Sequence, residues 1–60
     1  MTVQDFYLTF LDDTLFEIIK GGSRIYEGYL HFAPISMMCY SVLEANVKYG
    51  VRDTIILLCD

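Results

Sequence analysis

Acid–base chemistry would depend on His31, the only histidine, and on Glu27, four residues before it. Glu17 is a third candidate, because a hairpin would bring it near Glu27. Both Glu27 and His31 fall in the strand-like segment RIYEGYLHF (24–32). Residues four apart in a strand are separated by about 13 Å, so the two side chains could not share a proton directly. The spacing therefore favours a solvent-facing strand over a catalytic pair.

Cys39 and Cys59 could act as a nucleophile or as metal ligands together with His31. The close ligand pairs of metal sites, such as CxxC and HxxxH, are missing from the sequence. A Cys39 nucleophile would need His31 as its base, and their spacing does not indicate that pairing. KGGSR (20–24) lacks the length and lysine placement of a phosphate-binding loop. We predict no catalytic, cofactor or metal residues, no enzyme, and structural, mostly buried thiols.

Net charge narrows the classes of partner. Eight acidic residues against four basic ones give a net charge of −4. Nucleic-acid binding needs clustered lysine and arginine, whereas the bases here are scattered at Lys20, Arg24, Lys48 and Arg52. We therefore predict no nucleic-acid partner.

The apolar content predicts association. Hydrophobic residues make up 55% of the 60-residue chain, and a domain of this size buries only about 60% of its unfolded surface. Leftover apolar surface larger than a few hundred Å² usually marks an interface. We therefore expect the protein to bind itself, another protein, or both.

The cellular setting is predicted from what the first residues lack. MTVQDFYLTFLDD (1–13) has neither the basic region nor the cleavage site of a signal peptide. Apolar runs fall short of the ~20 residues that span a bilayer. We expect a cytoplasmic protein with reduced cysteines, no membrane partner, and one small domain covering residues 1–60.

The first segment predicts a helix that ends near residue 11. Thr2 and Asp5 have the spacing of a capping box at its start. DDT (12–14) then favours a turn, because aspartate near a helix C-terminus opposes the helix dipole. The apolar residues that share one helical face are Val3, Phe6, Tyr7, Phe10 and Leu11.

Residues 15–32, LFEIIK followed by GGS and RIYEGYLHF, predict a β-hairpin. Its register stays open. A two-residue GG loop places Glu17 opposite Tyr26, whereas a three-residue GGS loop places Glu17 opposite Glu27. The second register sets like charges face to face, which is mildly unfavourable, so we favour the first.

Pro34 ends the second strand, because proline cannot donate to a ladder. The stretch 35–50 has two competing interpretations, and whether 35–46 is a helix or a turn followed by a strand stays open. Ile35, Met38, Cys39, Val42 and Leu43 fit a helical face, whereas residues 43–49 alternate as a half-buried strand does. We divide the stretch into a helical turn at 35–40 and a strand at 42–49. TIILLC (54–59) is a closing strand. The predicted fold is α+β: an N-terminal helix packed on a four-stranded antiparallel sheet, with a short helical turn between strands 2 and 3.

One sheet face is left uncovered in this prediction, and a dimer would bury it. Its apolar side chains are drawn from Leu15, Ile19, Ile25, Tyr29, Ile55 and Leu57. Tyrosine is enriched at interfaces, and adjacent methionines fill a core or form an adaptable contact surface. The residues predicted to form the interface are Tyr26, Tyr29, Met37, Met38, Ile55 and Leu57.

In order, TVQDFYLTFLDDT, FEII, IYEGYL, AP and ILLC resemble a group of short proteins from Firmicute bacteria and their mobile elements. The pattern of that group is a T-V-x-(E/D) start, a DDT turn, an EI strand, a YEGYL strand, an IP turn and an apolar closing strand. The resemblance covers most of the chain. This sequence departs from it at Met37 and Met38, where acidic residues are common. The resemblance implies the helix-plus-four-strand layout and an intracellular setting, and it carries no activity.

The hairpin is also similar to the first motif of Sm-like RNA-binding proteins, through a glycine turn followed by Tyr26, Gly28 and Leu30. The turn is one residue longer than in that family. The Asp and Asn that bind RNA bases there are missing around 33–38, and TIILLCD lacks the Arg-Gly of the second motif. With a net charge of −4, we do not predict RNA binding.

We predict a non-enzymatic protein–protein interaction module of bacterial or mobile-element origin that forms a homodimer. The alternative is an acidic inhibitor or nucleic-acid mimic that occupies a basic groove of a larger protein. The acids on which this alternative rests are Asp5, Asp12, Asp13, Glu17, Glu27, Glu44, Asp53 and Asp60.

Overall fold

The computed structural model describes residues 1–10, 14–50 and 52–60. Leu11 and the predicted turn at Asp12 and Asp13 lie outside the described residues, as does Val51. The elements in chain order are α1 (Val3–Phe10), β1 (Leu15–Lys20), β2 (Ser23–Tyr29), two 3-10 helices (Leu30–Phe32 and Ile35–Cys39), β3 (Val42–Lys48) and β4 (Thr54–Cys59). The predicted α+β class, with an N-terminal helix and a four-stranded sheet, is confirmed.

The sheet is mixed, so the prediction of a purely antiparallel sheet is wrong. Its strand order is β2-β1-β4-β3, and the central pair β1 and β4 is parallel. The prediction assumed that consecutive strands are neighbours, but β2 and β3 lie at opposite edges. They run in the same direction and are joined by about a dozen residues, the length that a crossover between parallel strands requires. The two most apolar strands are thereby hydrogen bonded on both sides.

The hairpin combines features of both predicted registers. Its turn has two residues, Gly21 and Gly22, at φ 62° and 79°, the positive values that a tight hairpin turn requires. Nevertheless Glu17 lies opposite Glu27, because the register shifts between Ile18 and Ile19. The shift leaves an extra residue, Ile25, on β2. This β-bulge explains how a two-residue turn is compatible with Glu17 opposite Glu27, the register that we did not favour.

One face of the sheet, called the covered face, carries the core. Phe16 and Ile18 of β1 lie beside Ile55 and Leu57 of β4, and all four side chains are buried. Burying a side chain such as Leu57 contributes about 1.5 to 3 kcal/mol. The helices close this face, since the buried residues beside the strands are Val3 and Leu30, with Phe6, Tyr7, Met37, Met38 and Tyr40 packed against them.

The opposite face, called the open face, has no helix on it among the described residues. Ile56 and Leu58 reach it rather than Ile55 and Leu57, because β4 alternates and its buried positions are 55, 57 and 59. The parallel pairing with β1 sets this phase, which the sequence pattern of β4 alone left undetermined. Two of the predicted interface residues therefore belong to the core.

Candidate interaction surface

Strand β3 forms one edge of the sheet and is the most exposed strand. Its start is held by the N-terminal residues: the Val42 backbone N–H donates to the Met1 carbonyl oxygen at 2.7 Å, and Thr2 bridges to Ser41. From Leu43 onward, the outer side of β3 pairs with no strand in the part of the chain that is described. Unpaired backbone groups in a row can accept a further strand.

Side chains along β3 divide between the two faces according to its pairing with β4. Glu44 and Asn46 lie opposite Leu58 and Ile56, on the open face. Lys48 continues that row. Ala45 and Val47 lie on the side of the covered face, beyond the reach of the helices, and both are exposed.

Large apolar side chains flank this exposed stretch. Leu43 is 70% exposed, Val47 is 49% exposed and Tyr49 is 80% exposed. Leu43 lies at a second register shift, between Val42 and Glu44. Apolar surface of this kind next to unpaired backbone is typical of a contact region.

The other edge, β2, is irregular. Ile25 is the bulged residue described above, and Gly28 has φ 140°, a conformation that L side chains rarely adopt. A Cβ atom at Gly28 would lie 3.4 Å from the Tyr26 hydroxyl oxygen. That hydroxyl donates a hydrogen bond to the Tyr29 carbonyl oxygen at 2.6 Å. Tyr26 thus lies across the strand over Gly28 and fixes its bend.

Two salt bridges that share one arginine lie on the open face at the β2 edge. Arg24 Nη1 donates to Glu17 Oε1 at 3.1 Å and to Glu27 Oε2 at 2.9 Å. Glu17 is buried, with a side chain only 10% exposed, whereas the Arg24 side chain is 57% exposed. The hydrogen bond to Glu17 and the charges of both glutamates raise the pKa of Arg24. The like charges that made this register unfavourable in prediction are therefore bridged by one guanidinium.

Between the two edges, the open face carries half-buried apolar side chains. Leu15 and Ile19 come from β1, and Ile56 and Leu58 come from β4. Tyr29 is half-buried and its hydroxyl accepts a hydrogen bond from Arg52 Nη1. Neighbouring strands shield these groups partly, so this face is less exposed than the β3 edge.

The six predicted interface residues are not brought together. Ile55 and Leu57 are 8% and 0% exposed and lie in the core. Tyr26, Met37 and Met38 are half-buried and packed against that core. Of the six, only Tyr29 lies on the open face. The predicted interface did not include Leu43, Glu44, Lys48 or Tyr49. The alternation over 43–49 predicted a half-buried strand, and this is wrong, because every residue from Leu43 to Lys48 is exposed at the edge of the sheet.

A cleft of about 480 Å³ lies between α1 and the 3-10 helices, and both His31 and Cys39 line it. The sequence spacing had not indicated that these two residues would share a site. His31 lies on the first 3-10 helix rather than on a strand, and its Nδ1 is 3.4 Å from the Tyr7 hydroxyl oxygen. Tyr7 belongs to α1, so the helix and the chain after β2 meet at this contact.

The two thiols differ in environment, which corrects the prediction that both are mostly buried. Cys39 is exposed at the cleft, whereas Cys59 is buried in the core. Burial raises the pKa of the Cys59 thiol, and the nearby charge of Lys20 opposes that effect. Cys59 is therefore held in its neutral form at neutral pH.

Within residues 1–10, 14–50 and 52–60, no three His, Cys, Asp or Glu side chains come together as a metal site would require. Over the same residues, no helix has the length and apolar character needed to cross a membrane. Comparisons with protein-family models, curated proteins and solved structures found no match to this chain.

Proposed function

We propose that this chain is a non-enzymatic protein–protein interaction module that works as a homodimer. The observation that carries the proposal is the edge strand β3, whose residues from Leu43 to Lys48 are all exposed. An edge of this kind pairs readily with another strand, and natural proteins usually blunt it when it has no partner. Here β2 has a bulge in the middle of the strand and a bend at Gly28, whereas β3 is interrupted only at its start and pairs regularly with β4 from Glu44 to Lys48.

The small size of the domain also favours a protein–protein interaction module. The described chain has a Cα radius of gyration of 10.2 Å, and large hydrophobic side chains remain exposed around β3. Pairing of β3 with another strand would remove its backbone groups from water and cover Leu43 and Tyr49 at the same time. A module that gains stability by association fits the small core better than an independent monomer does.

The acidic inhibitor or nucleic-acid mimic is the weaker alternative. Glu17 and Glu27 share Arg24, so this part of the open face carries one net negative charge rather than two. Lys48 lies on the same strand and face as Glu44. A mimic of nucleic acid needs a continuous negative surface, and these bases interrupt it.

A cytoplasmic setting in a bacterium or its mobile elements is part of the proposal. It rests on the resemblance of the FEII, IYEGYL and ILLC segments to short Firmicute proteins. It is consistent with thiols left unpaired, since both cysteines are free.

Sedimentation equilibrium over protein concentrations from about 1 μM to about 1 mM tests the proposal, because that range brackets weak self-association. We expect a monomer–dimer equilibrium. Cys39→Ser, a change in the cleft and away from β3, is the matched control and should leave the equilibrium unchanged. A mass that stays monomeric throughout would overturn the homodimer, and strong salt-sensitive capture by a basic nucleic-acid-binding protein would favour the alternative.

A further inference from the structure

We infer that two copies associate through antiparallel pairing of their β3 strands, with a two-fold axis between the two Asn46 residues. The sheet then continues from one chain into the other. This inference deepens the proposed homodimer, on which it rests, by naming the contact strand and its register. The partner is a second copy of this chain, because the charges along β3 complement those of a second, antiparallel β3.

Symmetry limits the registers that β3 can adopt with itself. A two-fold axis in an antiparallel strand pair passes between two copies of the same residue, so residues equally distant from it lie opposite one another. An axis at Asn46 places Glu44 of one copy opposite Lys48 of the other, and the converse pair forms across the axis. Both charge pairs lie on the open face, where Glu44 and Asn46 already point.

Neighbouring registers lose this complementarity. With the axis at Ala45, Glu44 lies opposite Asn46 and Lys48 lies opposite Val42, whose backbone N–H already donates to Met1. With the axis at Val47, Lys48 lies opposite Asn46 and Glu44 lies opposite Gly50. Directly opposed pairs of opposite charge stabilise a sheet, and like charges destabilise it. The axis at Asn46 is therefore the one register in which residues 44–48 satisfy both charges.

The uncharged positions fit the same register. Ala45 lies opposite Val47 of the second copy, on the side of the covered face, so a small and a larger apolar side chain meet. Leu43 then lies opposite Tyr49, and these two residues are 70% and 80% exposed in the single chain. Asn46 lies opposite itself, where two amide side chains can hydrogen bond.

The length of the pairing is set by the two ends of β3. At one end, Val42 already donates its backbone N–H to Met1, and the register shift between Val42 and Glu44 interrupts the ladder. At the other end, β3 stops at Lys48. A short pairing of this kind indicates a reversible dimer rather than a permanent one.

Charge reversal tests the register. Glu44→Lys and Lys48→Glu each place like charges opposite one another in both pairs, so each variant alone should dimerise roughly tenfold more weakly than the native chain. An equimolar mixture of the two variants should form a heterodimer at near-native strength, since both opposed pairs become complementary. The double variant, Glu44→Lys with Lys48→Glu, should restore the homodimer. Sedimentation equilibrium gives all four association constants.

Disulfide trapping tests the position of the axis. In a Cys39→Ser background, Asn46→Cys should cross-link across the axis under mild oxidation, because directly opposed Cβ atoms approach the separation that a disulfide needs. Ser23→Cys, on the β2 edge, is the matched control and should stay uncross-linked.

The possible results distinguish the homodimer itself from the register of its β3 strands. A native chain that is monomeric at every concentration overturns both the homodimer and the register. A native dimer whose strength is the same in Glu44→Lys and in the mixture overturns the register and leaves the homodimer standing. Equal cross-linking at Ser23→Cys and Asn46→Cys also overturns the β3 interface.

Discussion

The two edge strands of the sheet, β2 and β3, differ in how readily they could pair with a further strand. Along β2 the chain inserts an extra residue at Ile25, bends at Gly28 and places Arg24 between two glutamates. Along β3 the pairing with β4 is regular from Glu44 to Lys48, and every residue of that stretch is exposed. Bulges and charges are the devices by which proteins keep an edge from pairing. These differences favour β3 over β2 as the edge that pairs in the proposed dimer.

The difference between the edges lies in the edge strands themselves, because the two central strands pair with their neighbours in the same way. β1 and β4 each pair along six positions of the other, and each has one hairpin partner. What differs is the residue type at a few outer positions. Single substitutions at those positions should therefore change the behaviour of one edge and leave the other edge as it is.

Gly28→Val should remove the bend that keeps β2 irregular. At φ 140° a β-branched residue is strained, although its Cβ atom would lie at ordinary contact distance, 3.4 Å, from the Tyr26 hydroxyl oxygen. We expect the free energy of unfolding to fall by about 2 to 3 kcal/mol. Urea unfolding followed by circular dichroism, at one fixed protein concentration, measures the loss.

Gly21→Asn is the control for this first prediction. Gly21 also has a positive φ, 62°, but a Cβ atom there meets nothing within 4 Å, and asparagine tolerates this conformation. The control should unfold at nearly the native urea concentration. Equal losses at both glycines would contradict the specific role of Gly28 at the β2 edge.

Arg24→Met should leave the buried Glu17 carboxylate facing Glu27 without its bridging cation. We expect roughly half the stability loss of Gly28→Val, since Arg24 is itself largely exposed while Glu17 is not. Thermal unfolding of the variant and of the native chain at neutral pH measures the loss.

Removing the second glutamate provides the control. Adding Glu27→Gln to Arg24→Met should recover part of the lost stability, because Glu17 then faces a neutral amide. In the native chain the raised pKa of Arg24 contributes stability that is fully present at neutral pH and is lost only as the pH rises through the raised value.

The sequence predicted the elements better than their arrangement. Apolar spacing located α1, and the change of period near Val42 located β3, because these signals are local. The parallel pairing of β1 with β4 was missed, since residues 15–20 and 54–59 are far apart in the sequence and no local pattern links them. That pairing determines which of Ile55 and Ile56 is buried. Because it was missed, the predicted interface wrongly included Ile55 and Leu57.

The candidate site was missed for a related reason. Alternation showed that β3 has an exposed side, yet whether it is an edge or a central strand depends on the position of β4. Likewise, His31 and Cys39 reach one cleft because two 3-10 helices fold back over the sheet. Short 3-10 helices carry weak sequence signals, so the spacing of these two residues gave no indication of their proximity.

Val47→Lys should blunt the β3 edge as Arg24 and Ile25 blunt β2. Val47 is 49% exposed, so we expect little change in the unfolding of the single chain. The dimer should weaken roughly tenfold, because two added lysines crowd the apolar pairs with Ala45. Sedimentation equilibrium measures this change. Ile25→Lys, at the β2 edge, should leave dimerisation unchanged, and an equal effect at both edges would contradict the contrast between them.

Asp5→Asn should have the smallest effect and should act where the open stretch of β3 begins. The Asp5 carboxylate accepts hydrogen bonds from the Thr2 backbone N–H at 2.8 Å and from the Thr2 hydroxyl at 3.2 Å. These bonds, the backbone one foremost, lower the pKa of Asp5 below its ordinary value of 3.8. An aspartate with a lowered pKa adds stability above the ordinary value and loses it as the pH falls through the lowered one.

At neutral pH the variant should therefore unfold slightly earlier than the native chain, and the difference should fade once the pH drops below 3.8. Because Thr2 and Met1 hold the start of β3, looser N-terminal residues should also speed hydrogen exchange at the Val42 amide. Gln4→Ala, at the exposed position beside Asp5, is the control and should leave that amide protected. Unchanged exchange in Asp5→Asn would mean that Thr2 stays in place without the carboxylate, and that the open edge of β3 starts at Leu43 for another reason.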